Sequence, residues 1–337
     1  MFEGFVMKLN KLILVCILMI GVINATESNK EINASEKISL QDENKRLKEK
    51  IKKLETQLQT CTQVKPIASS AVLHVQTATE KKTVRGAKFT QRTTAPKMLT
   101  AYYVADYQTV DEVKRKLETN GFTVLAVNEI LPDKTVLTFT NDELQKTNSF
   151  LSALHLLVND KSEIRVQNPS YFGAAFLQDK YKYGQFKETL LNLQSVLGDM
   201  YEVEDKFEFD ELADYNFMFG MPDKNDMITV AKGNDLADRL KEDNATQYVA
   251  YTLKLPNGTT LIGHKLQYRT YEYIKKIKEE HNVQLFPYEV MIRGNKAVML
   301  HPKYYLALSL PLLSMTDFMK IASAPAEIVK DIEKAYK

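Results

Sequence analysis

The chain has 337 residues, of which 44% are hydrophobic and 26% are charged, and its formal net charge is +2. This length and composition predict about two folded domains with substantial cores. The near-balance of charge argues against a nucleic-acid-binding protein, which normally carries a strong basic excess or a clustered basic face.

The first 25 residues have the pattern of an export signal. Two lysines precede an uninterrupted apolar run over 12–23, and the small residue Ala25 follows. The run is well short of the ~20 residues that cross a bilayer. We therefore expect a signal peptide over 1–25, cleaved near Ala25, and a mature protein in the periplasm or cell envelope of a bacterium. A retained anchor is the alternative, and either Met1 or Met7 is the start.

A heptad pattern over residues 33–61 predicts a coiled coil that makes the protein a homo-oligomer. Its a and d positions are Leu40, Asn44, Leu47, Ile51, Leu54, Leu58 and Cys61. An asparagine at an a position fixes the register and favours a parallel dimer, in which two copies of Cys61 meet across the axis. An interchain disulfide is then possible in an oxidising compartment. A trimer, or a single helix packed on the protein's own folded part, is the alternative.

Residues 62–98 lose this periodicity and are rich in threonine, alanine, serine and lysine. The composition predicts a flexible linker. It carries seven basic residues against one acidic residue. This excess indicates either attraction to an anionic envelope surface or partner, or simply a solvated spacer.

The remaining sequence contains two similar halves. The segment 124–140 matches 248–264 at an offset of 124 residues, and each reads as a β-hairpin around a turn that begins with proline. A second hairpin follows in each half, over 154–169 and then over 285–302, with the offset increased to 133. Segments with a helical pattern lie before, between and after these hairpins.

This order of elements predicts an α+β fold of two tandem repeats, 99–200 and 227–337, joined by a connector over 201–226. We expect each repeat to be a mostly antiparallel sheet with helices packed on one face. The coiled-coil helix precedes both repeats.

The layout resembles DUF302, an uncharacterised bacterial domain family. The string LFPYEVMIRGNKAVMLHP, residues 285–302, is similar to the second hairpin of that family, and 154–169 is a weaker version of it. The resemblance implies a fold but no established activity. Family members often carry a cysteine after the proline of this motif, where the present chain has Tyr288 and His155. A thiol-dependent role is therefore not expected.

Two short strings, NPSYF at 168–172 and HPKYY at 301–305, follow the last strand of each half. Proline cannot donate to a sheet and biases the preceding residue toward extended geometry, so each string is expected to end its strand. Asn168, Tyr171, His301 and Tyr304 are the candidate ligand-binding residues at these strand ends. Turn formation for the polar pair and core packing for the tyrosines are the alternatives.

The chain has no zinc or haem spacing, no glycine-rich phosphate loop and no nucleophile elbow, so no metal, cofactor or catalytic residue is predicted. The acidic stretch 202–211 suggests calcium binding or a solvated connector. We expect a protein that binds or scaffolds an unknown envelope partner or a small ligand. An enzyme with a site between the repeats and a purely structural envelope spacer are the alternatives.

Overall fold

The computed structural model describes residues 83–337, which belong to one compact unit. The strands are β1 (Met98–Thr100), β2 (Tyr102–Asp106), β3 (Thr123–Leu131), β4 (Lys134–Thr140), β5 (Leu154–Asn159), β6 (Glu163–Gln167), β7 (Tyr201–Glu202), β8 (Lys206–Glu208), β9 (Ile228–Lys232), β10 (Val249–Lys254), β11 (Thr260–His264), β12 (Tyr288–Arg293) and β13 (Lys296–Met299). The α-helices are α1 (Val110–Thr119), α2 (Asp142–Gln145), α3 (Pro169–Leu177), α4 (Lys187–Leu197), α5 (Leu236–Arg239), α6 (Asp243–Thr246), α7 (Tyr268–Tyr271), α8 (Tyr273–Lys276), α9 (Pro302–Ser309), α10 (Met315–Lys320) and α11 (Ala324–Lys334). Short 3-10 helices lie at Phe150–Ser152, Gln178–Lys180, Phe209–Glu211 and Glu280–Leu285.

The strands form two large sheets and one small one. The first large sheet has the order β3-β4-β5-β6-β2-β7, the second has the order β10-β11-β12-β13-β9, and β1 pairs with β8. Every strand pairing within 83–337 is antiparallel. The fold class is therefore α+β, as predicted. The four predicted hairpins, β3–β4, β5–β6, β10–β11 and β12–β13, are confirmed.

The middle of the first sheet is covered on both faces. Strands β5 and β6 are buried along their whole length, whereas the edge strand β3 is buried only near its end. A strand covered on both faces is apolar at successive positions, as β5 is at Leu156, Leu157 and Val158. The 3-10 helix Glu280–Leu285 is one of the elements that pack against β5 and β6. The buried side chains of both halves accordingly form one continuous hydrophobic core.

Helix α1 shows how the local sequence places a helix on this sheet. Thr109 is its N-cap and accepts a hydrogen bond from the backbone N–H of Glu112 (3.3 Å), which satisfies a donor that the helix itself leaves free. Val113 and Leu117, four residues apart on one face, are fully buried. The helix lies against α4 and strands β3 and β4.

The prediction of a flexible linker is wrong for residues 83–98, which pack on the folded part. Phe89 is buried, and its ring lies edge-on to that of Tyr103, with 5.3 Å between centroids. The Lys88 ammonium lies 2.7 Å from the carboxylate of Asp199. Part of the basic charge is therefore balanced by acids of the same fold.

The predicted connector over 201–226 also belongs to the fold. Its strand β7 extends the first sheet, and β8 pairs with β1. Leu212 and Tyr215 are buried in the core. The segment therefore contributes both strands and core side chains to the fold.

The predicted signal peptide (1–25) and coiled coil (33–61), including Cys61, lie outside the described residues, as does the linker before residue 83. Within 83–337, no helix is both long and apolar enough to cross a membrane.

Candidate functional site

Asn168 and His301, two of the predicted site residues, are the N-caps of helices α3 and α9. The side chain of Asn168 accepts a hydrogen bond from the N–H of Ser170 (3.0 Å) and donates to the carbonyl of Thr100 (2.8 Å). His301 Nδ1 accepts from the N–H of Lys303 (3.1 Å). A proline follows each cap at the first helical position, where its missing N–H costs nothing. Both side chains are therefore used to start helices.

The tyrosines of the same strings join these two helices. The Tyr171 hydroxyl, on α3, donates to the carbonyl of Leu308 on α9 (2.9 Å). In return, the Tyr304 hydroxyl, on α9, donates to the carbonyl of Ala175 on α3 (3.5 Å). Burial raises the pKa of both phenols well above the usual value of 10. The structure thus brings the two predicted strings together, but at a buried helix contact and not at a cleft.

A buried polar cluster lies where the 3-10 helix Glu280–Leu285 meets the first sheet; we call it the Arg165 cluster. Arg165 Nη2 on β6 donates to Asp205 Oδ2 at 2.5 Å. Asn282 Nδ2 lies 3.5 Å from the other oxygen of Asp205, and Gln284 Nε2 donates to Asn282 Oδ1 (3.0 Å). All four residues are buried, and Arg165 is only 1% exposed.

The guanidinium of Arg165 keeps unused hydrogen-bonding capacity. Its Nε and Nη1 have no hydrogen-bond partner among residues 83–337. Its carbon Cζ lies 5.0 Å from the centre of the Tyr102 ring, a cation–π distance, and burial raises the pKa of that tyrosine far above its usual range. Leaving a buried donor unsatisfied costs about 1–3 kcal/mol, and more for a charged group. Such a residue calls for an explanation.

A small open pocket with a cavity volume of about 70 Å³ lies next to this cluster. Arg165 and Asp205 line it together with Glu204, Glu279 and His281. The apolar side chains of Val84 and Leu312 also line it, and both are more than half exposed. The pocket therefore combines a buried cation, several acidic groups and two exposed apolar side chains.

A second polar group, His155 with Glu289, lies between the two sheets. His155 Nδ1 is 3.0 Å from the carbonyl of Gln284, an acceptor, so Nδ1 carries a hydrogen. His155 Nε2 is 3.4 Å from Glu289 Oε1, which also accepts a short hydrogen bond from the Tyr251 hydroxyl (2.5 Å).

The position of Tyr251 depends on a glycine. A Cβ atom at Gly263 of β11 would lie 2.2 Å from a carbon of the Tyr251 ring, far inside van der Waals contact. The missing side chain lets the ring lie against the neighbouring strand, where its hydroxyl reaches Glu289. Burial and the nearby carboxylate raise the Tyr251 pKa well above 10.

The calcium alternative for the acidic stretch 202–211 finds no support in this geometry. Asp205 pairs with Arg165, and the Glu202 carboxylate lies 2.6 Å from Lys206 and 3.4 Å from Arg92. No group of three or more potential metal ligands occurs within 83–337.

Comparison of the chain with family models, with curated proteins and with solved structures found no match. The resemblance to DUF302 therefore stays a prediction.

Arg165 was not predicted as a site residue, although its sequence neighbourhood contains a local signal. Arg165 stands between Ile164 and Val166 in a strand that is apolar at the neighbouring positions. A charged residue inside a buried strand is rare unless it is paired. Its partner Asp205 is 40 residues away in the sequence, so the pattern alone could not name it.

Proposed function

We propose that this chain is an exported bacterial envelope protein whose folded part binds a small polar ligand in the pocket beside Arg165. The observation that carries the proposal is the guanidinium of Arg165, which belongs to a residue that lines this pocket and is 1% exposed, and whose two nitrogen atoms Nε and Nη1 have no hydrogen-bond partner in 83–337. Binding sites place a few fixed polar groups in a concave surface, and this pocket has that composition.

The architecture that supports the site is proposed to be two tandem copies of one α+β unit. In both sheets the first hairpin pairs with the second, and the second pairs with the strand that precedes both hairpins in the sequence. The two orders are β3-β4-β5-β6-β2 and β10-β11-β12-β13-β9. The first hairpin of each contains a bulge, between Val124 and Ala126 and between Val249 and Tyr251. When the two bulges are aligned, equivalent residues of the two hairpins are 125 positions apart in the sequence. This is one more than the offset of 124 between the segments 124–140 and 248–264.

The register across the next strand supports the same duplication. His155 lies opposite Thr138 in the first sheet, and Glu289 lies opposite Gly263 in the second. His155 and Glu289 thus occupy equivalent positions, and they contact each other at the junction. The reciprocal hydrogen bonds of Tyr171 and Tyr304 have the same two-fold character.

The export signal, the parallel coiled coil over 33–61 and the disulfide at Cys61 complete the proposal from the sequence alone. An oligomer of this kind would present several binding pockets on one stalk and so increase avidity for a multivalent target. Electrophoresis without reductant should show a crosslinked dimer that disappears in Cys61→Ser.

The binding proposal is tested by thermal unfolding of the full chain against a panel of small polar metabolites. At least one compound should raise the Tm, because a ligand at 100 times its Kd adds about 2.7 kcal/mol of stability. The shift should decrease in Glu204→Gln and in Leu312→Ser, which alter the pocket at exposed positions. Asp210→Asn, an exposed acid that does not line the pocket, is the matched control.

Two results would contradict the proposal: a panel with no effect on the Tm, or shifts that are the same in the pocket variants and the control.

An enzyme is the second candidate, and the buried group of His155, Glu289 and Tyr251 favours it. A histidine held by a carbonyl at Nδ1 and facing a carboxylate at Nε2 has the arrangement of an acid–base pair. His155 is 1% exposed, so a substrate would reach it only after local opening. The test is turnover of any compound that binds: an enzyme loses kcat in His155→Gln while Kd is unchanged, and a binding protein shows no turnover at all.

A further inference from the structure

We propose that one end of the second sheet carries a surface that binds a membrane containing anionic phospholipids. This surface, called the cationic surface below, consists of five basic residues: Lys180, Lys224, Lys232, Arg293 and Lys296. The proposal is independent of the pocket beside Arg165, because none of the five lines that pocket.

Three of these basic residues lie side by side on neighbouring strands. Arg293 of β12 is directly opposite Lys296 of β13, and Lys296 is directly opposite Lys232 of β9. Residues directly opposite each other in a sheet project from the same face, so the three side chains share one face. All three are exposed. Like charges in this arrangement repel each other, and an anionic partner would offset that repulsion.

Lys224, in the segment before β9, extends the same group of charges. Its ammonium donates a hydrogen bond to the side-chain oxygen of Gln178 (3.2 Å), which is a neutral acceptor. Partial burial and the positive charges of Arg293 and Lys180 lower the pKa of Lys224 from its usual value. These three basic groups are therefore close enough to repel one another.

Acidic residues near the cationic surface neutralise only part of its charge. Asp223 attracts Lys224, but its carboxylate also accepts a hydrogen bond from the backbone N–H of Asn225 (2.6 Å). Asp235, which follows β9, pairs with Arg239 instead (3.1 Å). Within 83–337, none of the five basic groups has a carboxylate at ion-pair distance. Their charge is thus available to an external anion.

A turn with exposed apolar side chains precedes Lys224 in the chain. Met218 and Phe219 lie at its tip, and Phe219 is 85% exposed. The N–H of Met221 donates to the carbonyl of Met218 (3.0 Å), and the Asn216 side chain donates to the carbonyl of Met221 (2.8 Å), so the turn is closed. Lys224 is three residues beyond this turn, at most about 11 Å of chain. The apolar tip and the cationic surface therefore belong to one region of the molecule.

A membrane interface is the partner that accepts both kinds of side chain. Its anionic headgroups attract lysine and arginine, and the apolar boundary beneath them accepts an aromatic ring. A soluble phosphate compound or an acidic polysaccharide would use the charges but would leave Phe219 in water. Charge combined with an apolar anchor therefore favours a lipid surface as the partner.

The experiment is co-sedimentation of the full chain with lipid vesicles. One set contains phosphatidylcholine alone, and the other contains about 30% phosphatidylglycerol, which supplies the anionic headgroups. We expect at least ~10-fold tighter binding to the anionic set at about 0.1 M NaCl, and loss of this preference at about 0.5 M NaCl. The segments before residue 83 are the same in every variant, so ratios of Kd between variants report on the described surface.

Two variants test the two parts of the surface. Arg293→Gln with Lys296→Gln should raise the Kd for anionic vesicles about 20-fold, because each charge contributes about 5-fold. Phe219→Ser should raise it about 5-fold without any change of charge. All three positions are exposed, so the fold should tolerate these changes. Lys114→Gln with Arg115→Gln, two exposed basic residues on α1, is the matched control and should leave the Kd nearly unchanged.

The inference is overturned if the chain binds both vesicle sets equally, or if the control pair loses as much affinity as Arg293→Gln with Lys296→Gln. An unchanged Kd in Phe219→Ser also overturns it, because the partner is then not a lipid interface. Release by sodium pyrophosphate at an ionic strength where NaCl releases nothing would instead identify a soluble phosphate as the ligand. Each of these results leaves the binding function of the pocket unaffected, because no variant alters a residue that lines it.

Discussion

The two halves of the folded part differ most in the segment between their hairpins. In the first half, residues 141–153 form only α2 and the 3-10 helix Phe150–Ser152. In the second half, residues 265–287 are longer and form α7, α8 and the 3-10 helix Glu280–Leu285. This last helix crosses to β5 and β6 of the other sheet and brings Asn282 to Asp205. Two sheets of the same strand order can therefore acquire a polar site through the length of one connection.

The largest effect is expected at the junction of the two sheets, in His155→Glu. This change places two carboxylates at equivalent positions in a site that water barely reaches, so the free energy of unfolding should fall by about 3–5 kcal/mol. Urea denaturation measures the loss.

The exchange of both residues, His155→Glu with Glu289→His, is the matched control. If a two-fold axis relates the two positions, glutamate at position 155 and histidine at position 289 form the same contact with their places exchanged. Part of the lost free energy of unfolding is then recovered. A double variant that is less stable than either single variant would contradict the equivalence of the two positions.

A second prediction concerns His264 of β11, whose equivalent in the first half by the bulge register is Phe139. Both side chains are fully buried. Burial lowers the pKa of His264 from 6.5 to about 4, so the unfolded chain takes up this proton first as the pH falls. The stability contributed by the neutral imidazole is complete above about pH 6.5 and is lost progressively down to about pH 4. This loss amounts to ~3 kcal/mol.

The variant His264→Phe copies the first half into the second and sharpens this comparison. Its free energy of unfolding, measured from pH 7 to pH 4, should fall less steeply than that of the wild-type protein. Its stability at pH 7 should decrease modestly, because the hydrogen bond between His264 Nε2 and the Tyr336 hydroxyl (3.0 Å) is lost. Parallel pH profiles in the two proteins would show that His264 is not the group that titrates.

The smallest effects on stability are expected for the two tyrosines that link α3 and α9. Tyr171→Phe removes a hydrogen bond of 2.9 Å and should cost about 1 kcal/mol. Tyr304→Phe removes one of 3.5 Å, at the limit of a hydrogen bond, and should cost less. Thermal unfolding of both variants measures the difference, and a larger loss in Tyr304→Phe would reverse the assignment of the stronger contact.

The sequence allowed the hairpins to be predicted because their signals are local. Alternating apolar residues and a turn lie within a single segment in each case, as in β12 and β13 around Gly294, which has a φ of +58°. The helix starts at Asn168 and His301 were missed, although an N-cap followed by proline is a local signal as well. Proline was interpreted only as the end of a strand, whereas Pro169 and Pro302 each begin a helix.

The candidate site required information that a single segment does not contain. Arg165, Asp205 and Asn282 come from a strand, a segment predicted as a connector and a 3-10 helix. Their contacts depend on how the second half packs on the first. Composition also led to a wrong domain boundary. The basic residues of 83–98 suggested a solvated spacer, whereas Phe89 of that segment is buried in the core.

The crossed hydroxyl contacts of Tyr171 and Tyr304 have a mechanical consequence. Because each helix donates to the other, and because the two sheets share one core, a clamshell opening would break both bonds and expose that core to water.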